Sequence, residues 1–286
     1  MLHLILLASA FSQPEPAATA QPVTLALMHG VPVKWDLEAN FKTFLAQLDD
    51  DDVKGADVFI TPECWLDGYA APDPESTPER LRTVAQDLDT SDYLKRVSGE
   101  AKSRGLYICF GFTSIEDGAI FNTSGLWNPD GELVGVYHKT HIQTHDKQYS
   151  LGQGIPVWES KWGPLGMMIC ADRRWPETVR TLRLKGARLI LNPTYGFHGD
   201  MNTAIMRTRS FENQCFIAFT HPQESLVTGP KGQVILQWVG EGEAGVEACT
   251  IDLAEARDNN HLEDRRPELY GVIAEGSGEQ SRGGEE

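Results

Sequence analysis

Basic residues are scarce in this chain: 25 Lys and Arg stand against 41 Asp and Glu over 286 residues, a formal charge of −16. That balance argues against a nucleic-acid partner or an anionic membrane surface, since both call for a positive face. The acidity reads as solubility. Long apolar runs are missing as well. The run at residues 2–10 is too short to cross a bilayer as a helix, and no other segment is long enough, so no membrane span is expected. Cysteine is sparse and irregularly spaced, at Cys64, Cys109, Cys170, Cys215 and Cys249. None forms a CxxC pair, which argues against a zinc ribbon or a thioredoxin motif. The odd count leaves at least one thiol unpaired. Cys109, Cys215 and Cys249 lie in apolar, strand-like runs and are expected in the core.

The start of the chain, residues 1–21, resembles the apolar core and cleavage region of a secretory signal, although no Lys or Arg precedes the apolar run. Cleavage there implies export to the periplasm or the exterior. The other reading is a disordered amino-terminal extension on a cytoplasmic protein. Residues 275–286, made of Gly, Ser, Glu, Gln and Arg, read as a flexible tail.

What lies between is patterned for a large core. Residues 23–28 read as a buried strand, after which Leu37, Phe41, Phe44, Leu45 and Leu48 recur at helical spacing. A short strand at 57–60 ends at Pro62-Glu63. One or two helices are expected between 77 and 104, then a strand at 107–112. A hairpin follows, 121–127 and 133–137 around Pro129-Asp130-Gly131. A similar one comes later, 225–228 and 234–239 around Pro230-Lys231-Gly232. Between the hairpins come a strand at 165–169, a helix at 176–185, a strand at 188–191, a helix at 200–213 and a strand at 215–220. This alternation predicts an α/β fold, a mixed-sheet sandwich, with two comparable halves packed face to face.

The chemistry concentrates at strand ends. Met167-Met168-Ile169-Cys170-Ala171-Asp172-Arg173-Arg174-Trp175-Pro176-Glu177 reads as strand, sharp turn and helix. Cys170 is expected at the exposed turn, facing backbone N–H groups that lower a thiol's pKa. The competing reading is a core cysteine. Glu63 follows a buried strand in Thr61-Pro62-Glu63-Cys64-Trp65 and suits a general base; a loop carboxylate held by backbone N–H groups is the alternative. Lys139 closes the strand Val134-Gly135-Val136-Tyr137-His138, where an ammonium stabilises an oxyanion or is simply solvated. Three strands ending in a carboxylate, an ammonium and a thiol point to one pocket, because such ends gather in an α/β sheet.

Taken in order, these segments resemble the nitrilase-like carbon–nitrogen hydrolases. The likeness runs through Pro62-Glu63 with Gly68-Tyr69, Lys139-Thr140-His141, Ile169-Cys170 with Asp172 and Pro176-Glu177, and Asn192-Pro193. It continues in Arg207-Thr208-Arg209-Ser210-Phe211-Glu212-Asn213-Gln214 and Arg265-Arg266-Pro267-Glu268-Leu269-Tyr270. The resemblance implies a four-layer α-β-β-α sandwich with two mixed sheets over residues 22–274, and a Glu63–Lys139–Cys170 triad. It also implies no cofactor and a homodimer or higher homo-oligomer. Residues 167–177 look especially like the N-carbamoyl-D-amino acid amidohydrolases, which carry Arg-Arg-Trp-Pro-Glu after the cysteine and use the arginines for the substrate carboxylate. By that likeness the role falls on Arg173 and Arg174; a guanidinium grips a carboxylate through two parallel hydrogen bonds. The other reading pairs them internally, for example with Asp172 or Glu177.

Two departures bear on the substrate. Asp146 stands where the family often has a second glutamate, with a side chain one methylene shorter, and the segment between His141 and that position is shortened. The expected activity is hydrolysis of a non-peptide C–N bond in a small amide or N-carbamoyl compound, through a cysteine thioester and with ammonia released. Asp146, His141 and the Ala171 N–H are expected beside the substrate with the two arginines. Three alternatives stand beside this: an aliphatic amidase or nitrilase with structural arginines, a non-catalytic binding protein on the same fold, and a metal hydrolase on His141, His145 and Asp146. The last lacks the HExxH glutamate and a distant third ligand, and no metal is expected.

Overall fold

The computed structural model describes residues 20–257 and 260–275. The expected leader at 1–21 falls outside them but for its last two residues, and so does the expected tail at 275–286 but for Glu275.

The first half of the chain builds β1 (Pro22–His29), α1 (Leu37–Leu48), β2 (Val58–Ile60), α2 (Pro78–Arg82), α3 (Asp92–Arg104), β3 (Tyr107–Glu116), β4 (Ala119–Trp127) and β5 (Leu133–His138). The second builds β6 (Val157–Trp158), β7 (Leu165–Met167), α4 (Pro176–Leu184), β8 (Leu189–Pro193), α5 (Asp200–Asn213), β9 (Phe216–His221), β10 (Glu224–Thr228), β11 (Val234–Val239), β12 (Gly245–Asp252) and α6 (Gly271–Ala274). Helix ends follow local chemistry. Asp36 caps α1 by accepting from the Ala39 N–H, Ser91 caps α3 through the Leu94 N–H, and Pro176 occupies the first turn of α4.

Two six-stranded mixed sheets form, in the orders β12-β1-β2-β3-β4-β5 and β11-β10-β9-β8-β7-β6. The halves repeat one pairing scheme. β1, β2 and β3 run parallel and are followed by antiparallel β4 and β5; β7, β8 and β9 run parallel and are followed by antiparallel β10 and β11. The remaining strands cross over. β6 follows β5 in the chain but pairs with β7, and β12 follows β11 but pairs with β1. Counted as two sets of six strands, β1–β6 and β7–β12, each set thereby lends its last strand to the outer edge of the other set's sheet, beside the parallel strands.

The side-chain period of two sorts each strand into two layers. From β1, Val23, Leu25 and Leu27 enter the space between the sheets, where they join Val58, Ile60, Cys109, Leu165, Met167, Leu189, Leu191 and Ala218. Ala26 and Met28 face the other way, against Phe41 and Phe44 of α1 and Leu94 and Val97 of α3. On the far side, Val179 and Leu182 of α4 and Met206 of α5 cover Ile190, Ile217 and Phe219. The result is the α-β-β-α sandwich. Burial on both faces is why these strands read as continuous apolar runs. Of the cysteines expected in the core, Cys109 and Cys215 are fully buried and Cys249 is half-buried.

Candidate active site

The parallel strands of both sheets end at one edge of the sandwich, and the site is assembled there. Glu63 sits three residues beyond β2. Its turn packs against β3 at Gly111, where a Cβ would lie 2.5 Å from the Pro62 carbonyl oxygen and 2.8 Å from the Cys64 nitrogen, so only glycine admits the turn. Lys139 follows β5 directly, and its N–H is held by the Asn122 carbonyl of β4 at 2.9 Å. Cys170 opens a 3-10 turn, Cys170–Arg174, between β7 and α4. The main-chain φ of Cys170 is +48°, in the left-handed region that a side chain resists, as are those of Cys64 at +45° and Tyr69 at +51°. Three non-glycine residues in that region around one pocket mark a backbone held in place by its surroundings.

The polar groups form one buried network. Glu63 and Lys139 are both fully buried, with Lys139 Nζ donating to Glu63 Oε1 at 2.8 Å. Asn122 Nδ2 donates to the same oxygen at 2.7 Å, and the Tyr195 N–H donates to Glu63 Oε2 at 2.8 Å. Lys139 also donates to Asp146 Oδ2 at 2.6 Å, and Tyr69 Oη donates to Asp146 Oδ1 at 2.7 Å. The shorter aspartate therefore reaches the lysine, carried inward on a 3-10 turn, Thr144–Asp146. Burial alone drives an ammonium toward deprotonation. Here Glu63, the Cys170 sulfur when ionised and Asp146 outweigh it, and the proton affinity of Lys139 ends well above the ordinary lysine value.

Asp172 ties the cysteine turn to the lysine segment. One carboxylate oxygen accepts from the Ile169 N–H and Tyr137 Oη, at 3.0 and 2.8 Å. The other accepts from the His141 N–H at 2.9 Å, Thr140 Oγ1 at 3.0 Å and His141 Nδ1 at 2.7 Å. The segment 195–199, after β8, closes the opposite wall. Gly196 lies so close that a Cβ there would stand 3.0 Å from Cys170 Sγ. His221 Nε2 bridges the Tyr195 and Gly196 carbonyls at 3.0 and 2.8 Å, while its Nδ1 accepts from the Gln223 N–H at 3.0 Å. This pattern fixes the neutral tautomer with the proton on Nε2.

Cys170 differs from its expectation. It is 5% exposed rather than presented openly at the turn. Its thiol is pushed above the ordinary cysteine range, first by burial and then by Glu63, against the opposing pull of Lys139, Arg173 and the Gly196 N–H. The cation effect expected from sequence is present, joined by the Gly196 N–H across the pocket, but desolvation exceeds both. The resting group is a thiol beside a carboxylate.

The two arginines part company. Arg173 is fully buried and turned inward: Nε donates to Asn202 Oδ1 at 2.7 Å, Nη1 to the Cys170 carbonyl at 2.5 Å and Nη2 to the Phe197 carbonyl at 2.6 Å. Its partners are thus neither Asp172 nor Glu177, and its fork does not open toward a ligand. Arg174 is exposed, donates to Gln143 Oε1 at 2.9 Å and lies over the Phe197 ring. Next to it His141 stacks on Trp175, ring centroids 4.1 Å apart. His141 bonds to Asp172, while the half-exposed His145 stands 3.8 Å from Asp146. Among the described residues no cluster of three or more His, Cys, Asp or Glu is arranged to hold a metal, and no helix is long and apolar enough to cross a membrane. Sequence reasoning missed Asn122, Tyr195, Gly196 and His221. Only the Asn192-Pro193 match, just upstream of residues 195–199, hinted at that wall.

The fold, two mixed six-stranded sheets in an α-β-β-α sandwich, matches that of nitrilase-superfamily structures. The family model described as Carbon-nitrogen hydrolase matches residues 17–259, and the chain belongs to that family, within the nitrilase superfamily. It is 33% identical over 238 residues to a protein of Pseudomonas protegens described as "Hydrolase in pqqF 5'region", covering 75% of this chain and 80% of that one. It is 27% identical to a 2-oxoglutaramate amidase of Bacillus subtilis, covering 76% and 88%. Among solved structures, a double mutant of an amidase from Nesterenkonia sp. AN1 in complex with acrylamide superposes with a TM-score of 0.73 at 23% identity, covering 92% of this chain and 99% of that one. That last likeness is one of fold.

Proposed function

We propose that this carbon–nitrogen hydrolase cleaves the amide or ureido C–N bond of a small carboxylate-bearing molecule, with Glu63, Lys139 and Cys170 as its catalytic groups. The observation carrying this reading is the convergence of three strand ends on one buried cluster, in which a carboxylate holds an ammonium at 2.8 Å and both act electrostatically on a neutral thiol.

A neutral, buried thiol needs a base at the moment of attack. Glu63 takes the Cys170 proton and the thiolate adds to the carbonyl carbon. Charge then develops on the carbonyl oxygen, where Lys139 Nζ and the Ala171 N–H receive it. Glu63 returns the proton to the departing nitrogen, ammonia leaves, and a thioester remains on Cys170. Water, deprotonated by Glu63, attacks the thioester; the acid departs and the thiol regains its proton. Lys139 keeps its charge throughout, pinned by Glu63 and Asp146.

Specificity in this reading rests on Arg174 rather than on both arginines. Arg173 has spent its fork on the protein, whereas Arg174 is exposed beside Trp175 and His141. The relative named 2-oxoglutaramate amidase carries an amide and a carboxylate in the substrate of its name, which supports the assignment. The test is an ammonia-release screen over N-carbamoyl amino acids, primary amides with and without a carboxylate, and nitriles. Cys170→Ala should release nothing. Arg174→Ala should raise KM for carboxylate substrates by about tenfold or more, the worth of a charge-assisted hydrogen bond, and spare neutral amides. Equal effects on both classes would leave an aliphatic amidase whose Arg174 serves Gln143. Inert wild-type protein, across all classes, would end the hydrolase reading.

A further inference from the structure

We propose that Arg173 is a positioning residue for the oxyanion site: by gripping the Cys170 carbonyl it aims the Ala171 N–H at the substrate oxygen. The inference rests on the hydrolase reading above. Its basis is the geometry of a single peptide unit. The Cys170 carbonyl and the Ala171 N–H belong to the same planar trans amide and point in opposite directions. Whatever fixes that oxygen fixes the hydrogen.

Arg173 Nη1 reaches this oxygen at 2.5 Å. The guanidinium is itself immobile. It is fully buried, held by Asn202 Oδ1 and the Phe197 carbonyl, and flanked by the rings of Phe197 and Phe219 at 4.5 and 5.3 Å. The restraint falls where it is needed. Cys170 is a non-glycine residue at φ +48°, and such a residue relaxes if its peptide is free to rotate. The same fork takes the Phe197 carbonyl, next to Gly196, whose backbone faces the thiol from the opposite wall. One side chain therefore sets the spacing between the cysteine turn and the segment across from it.

Charge adds to position. The three acceptors of Arg173 are an amide oxygen and two main-chain carbonyls, none of them a carboxylate. Asn202 stands between the guanidinium and buried Glu224, donating to Glu224 Oε2 at 3.5 Å. A cationic donor on the Cys170 oxygen polarises the amide and makes its N–H a stronger donor. An oxyanion donor acts only when charge appears on the substrate, so its loss shows in acyl transfer and not in every reaction of the thiol.

That distinction gives the test. Two reactions of Cys170 both require its thiolate: acylation, read as kcat/KM on an amide that the wild type hydrolyses, and alkylation by iodoacetamide, which displaces iodide and forms no oxyanion. Their ratio cancels changes in thiol ionisation and in the folded fraction. In Arg173→Met, close in length but without donors or charge, the ratio should fall by about tenfold to a hundredfold, a share of the 10²–10³ lost with a whole oxyanion donor. A fall below fivefold overturns the inference, as does a parallel loss of both rates, which is what a merely structural role predicts. If Arg173→Met does not fold, Arg173→Lys is read the same way. One ammonium cannot hold three acceptors, and the ratio should again drop at least fivefold; an unchanged ratio overturns the inference. An active wild type whose ratio is unmoved in the variants sinks this inference alone. An inert wild type sinks the hydrolase reading and this inference together.

Discussion

Acidification should weaken the fold through His221, and by an amount the structure sets. Burial, followed by the neighbouring His198, brings this imidazole from near 6.5 down to about 4. The native state thus refuses a proton that the unfolded chain accepts. A lowered folded pKa contributes stability in full above the unfolded value, and that stability is lost as pH falls from about 6.5 toward 4. At ~1.36 kcal/mol per tenfold change in proton affinity, the whole contribution is about 3 kcal/mol. Asp67 acts with the opposite sign. Its carboxyl, fully buried, is raised by that burial from 3.8 to about 6, so the native state gains stability as pH falls through 6. The two slopes oppose each other between about pH 4 and 6, and the wild type should look flatter than either group alone. His221→Gln isolates the first term, since glutamine has an N–H for the two carbonyls and does not titrate. Urea unfolding followed by tryptophan fluorescence should show the wild-type advantage over the variant shrinking by about 2–3 kcal/mol between pH 7 and pH 4.5. An advantage that stays constant within about 0.5 kcal/mol would refute the reasoning, because it would mean that His221 binds protons alike in both states.

Two further outcomes follow from the network. Gly196→Ala places a Cβ at 3.0 Å from Cys170 Sγ, which crowds the nucleophile without touching the core; kcat/KM should drop by about tenfold or more while the melting temperature stays within about two degrees of wild type. Asp146→Asn removes one of the two carboxylates around Lys139 and presents the ammonium with an amide that cannot serve both it and Tyr69 as acceptor. Breaking a buried pair costs on the order of 3 kcal/mol, to be measured by urea unfolding, with kcat falling more than KM rises. Unchanged stability would mean that water replaces the lost acceptor.

The strand order and the site were legible to different depths. β1, β3 and both hairpins stand out in sequence because each is buried on two faces or bounded by Pro and Gly turns. β6 was not legible: two residues carry no period, and it exists because β7 offers it an edge. β12, whose outward residues are half-exposed, showed only an apolar run around Cys249. At the site, Glu63, Lys139 and Cys170 were readable because each ends a strand with a residue type out of keeping with the apolar run before it. Asn122 was not, since a buried polar residue inside a strand announces no partner; its amide meets Glu63 only because β4 lies between β3 and β5.

Arg173 and Arg174 separate the two kinds of knowledge most sharply. Adjacent in sequence and alike in chemistry, they were assigned one role. Sequence alone determined that a cysteine follows a buried strand, that a carboxylate and an ammonium do the same elsewhere, and that two guanidiniums come next, because residue type and burial period are local. Which guanidinium faces the protein and which faces solvent is decided by the 3-10 turn from Cys170, in which successive residues point about 120° apart. That rotation sends Arg173 toward Asn202 and the Cys170 carbonyl and leaves Arg174 outside. The tertiary fold also turned the thiol from the exposed, cation-activated group expected from sequence into a buried one whose proton affinity is raised by burial and by Glu63, because desolvation is a property of everything packed around it and not of its neighbours in the chain.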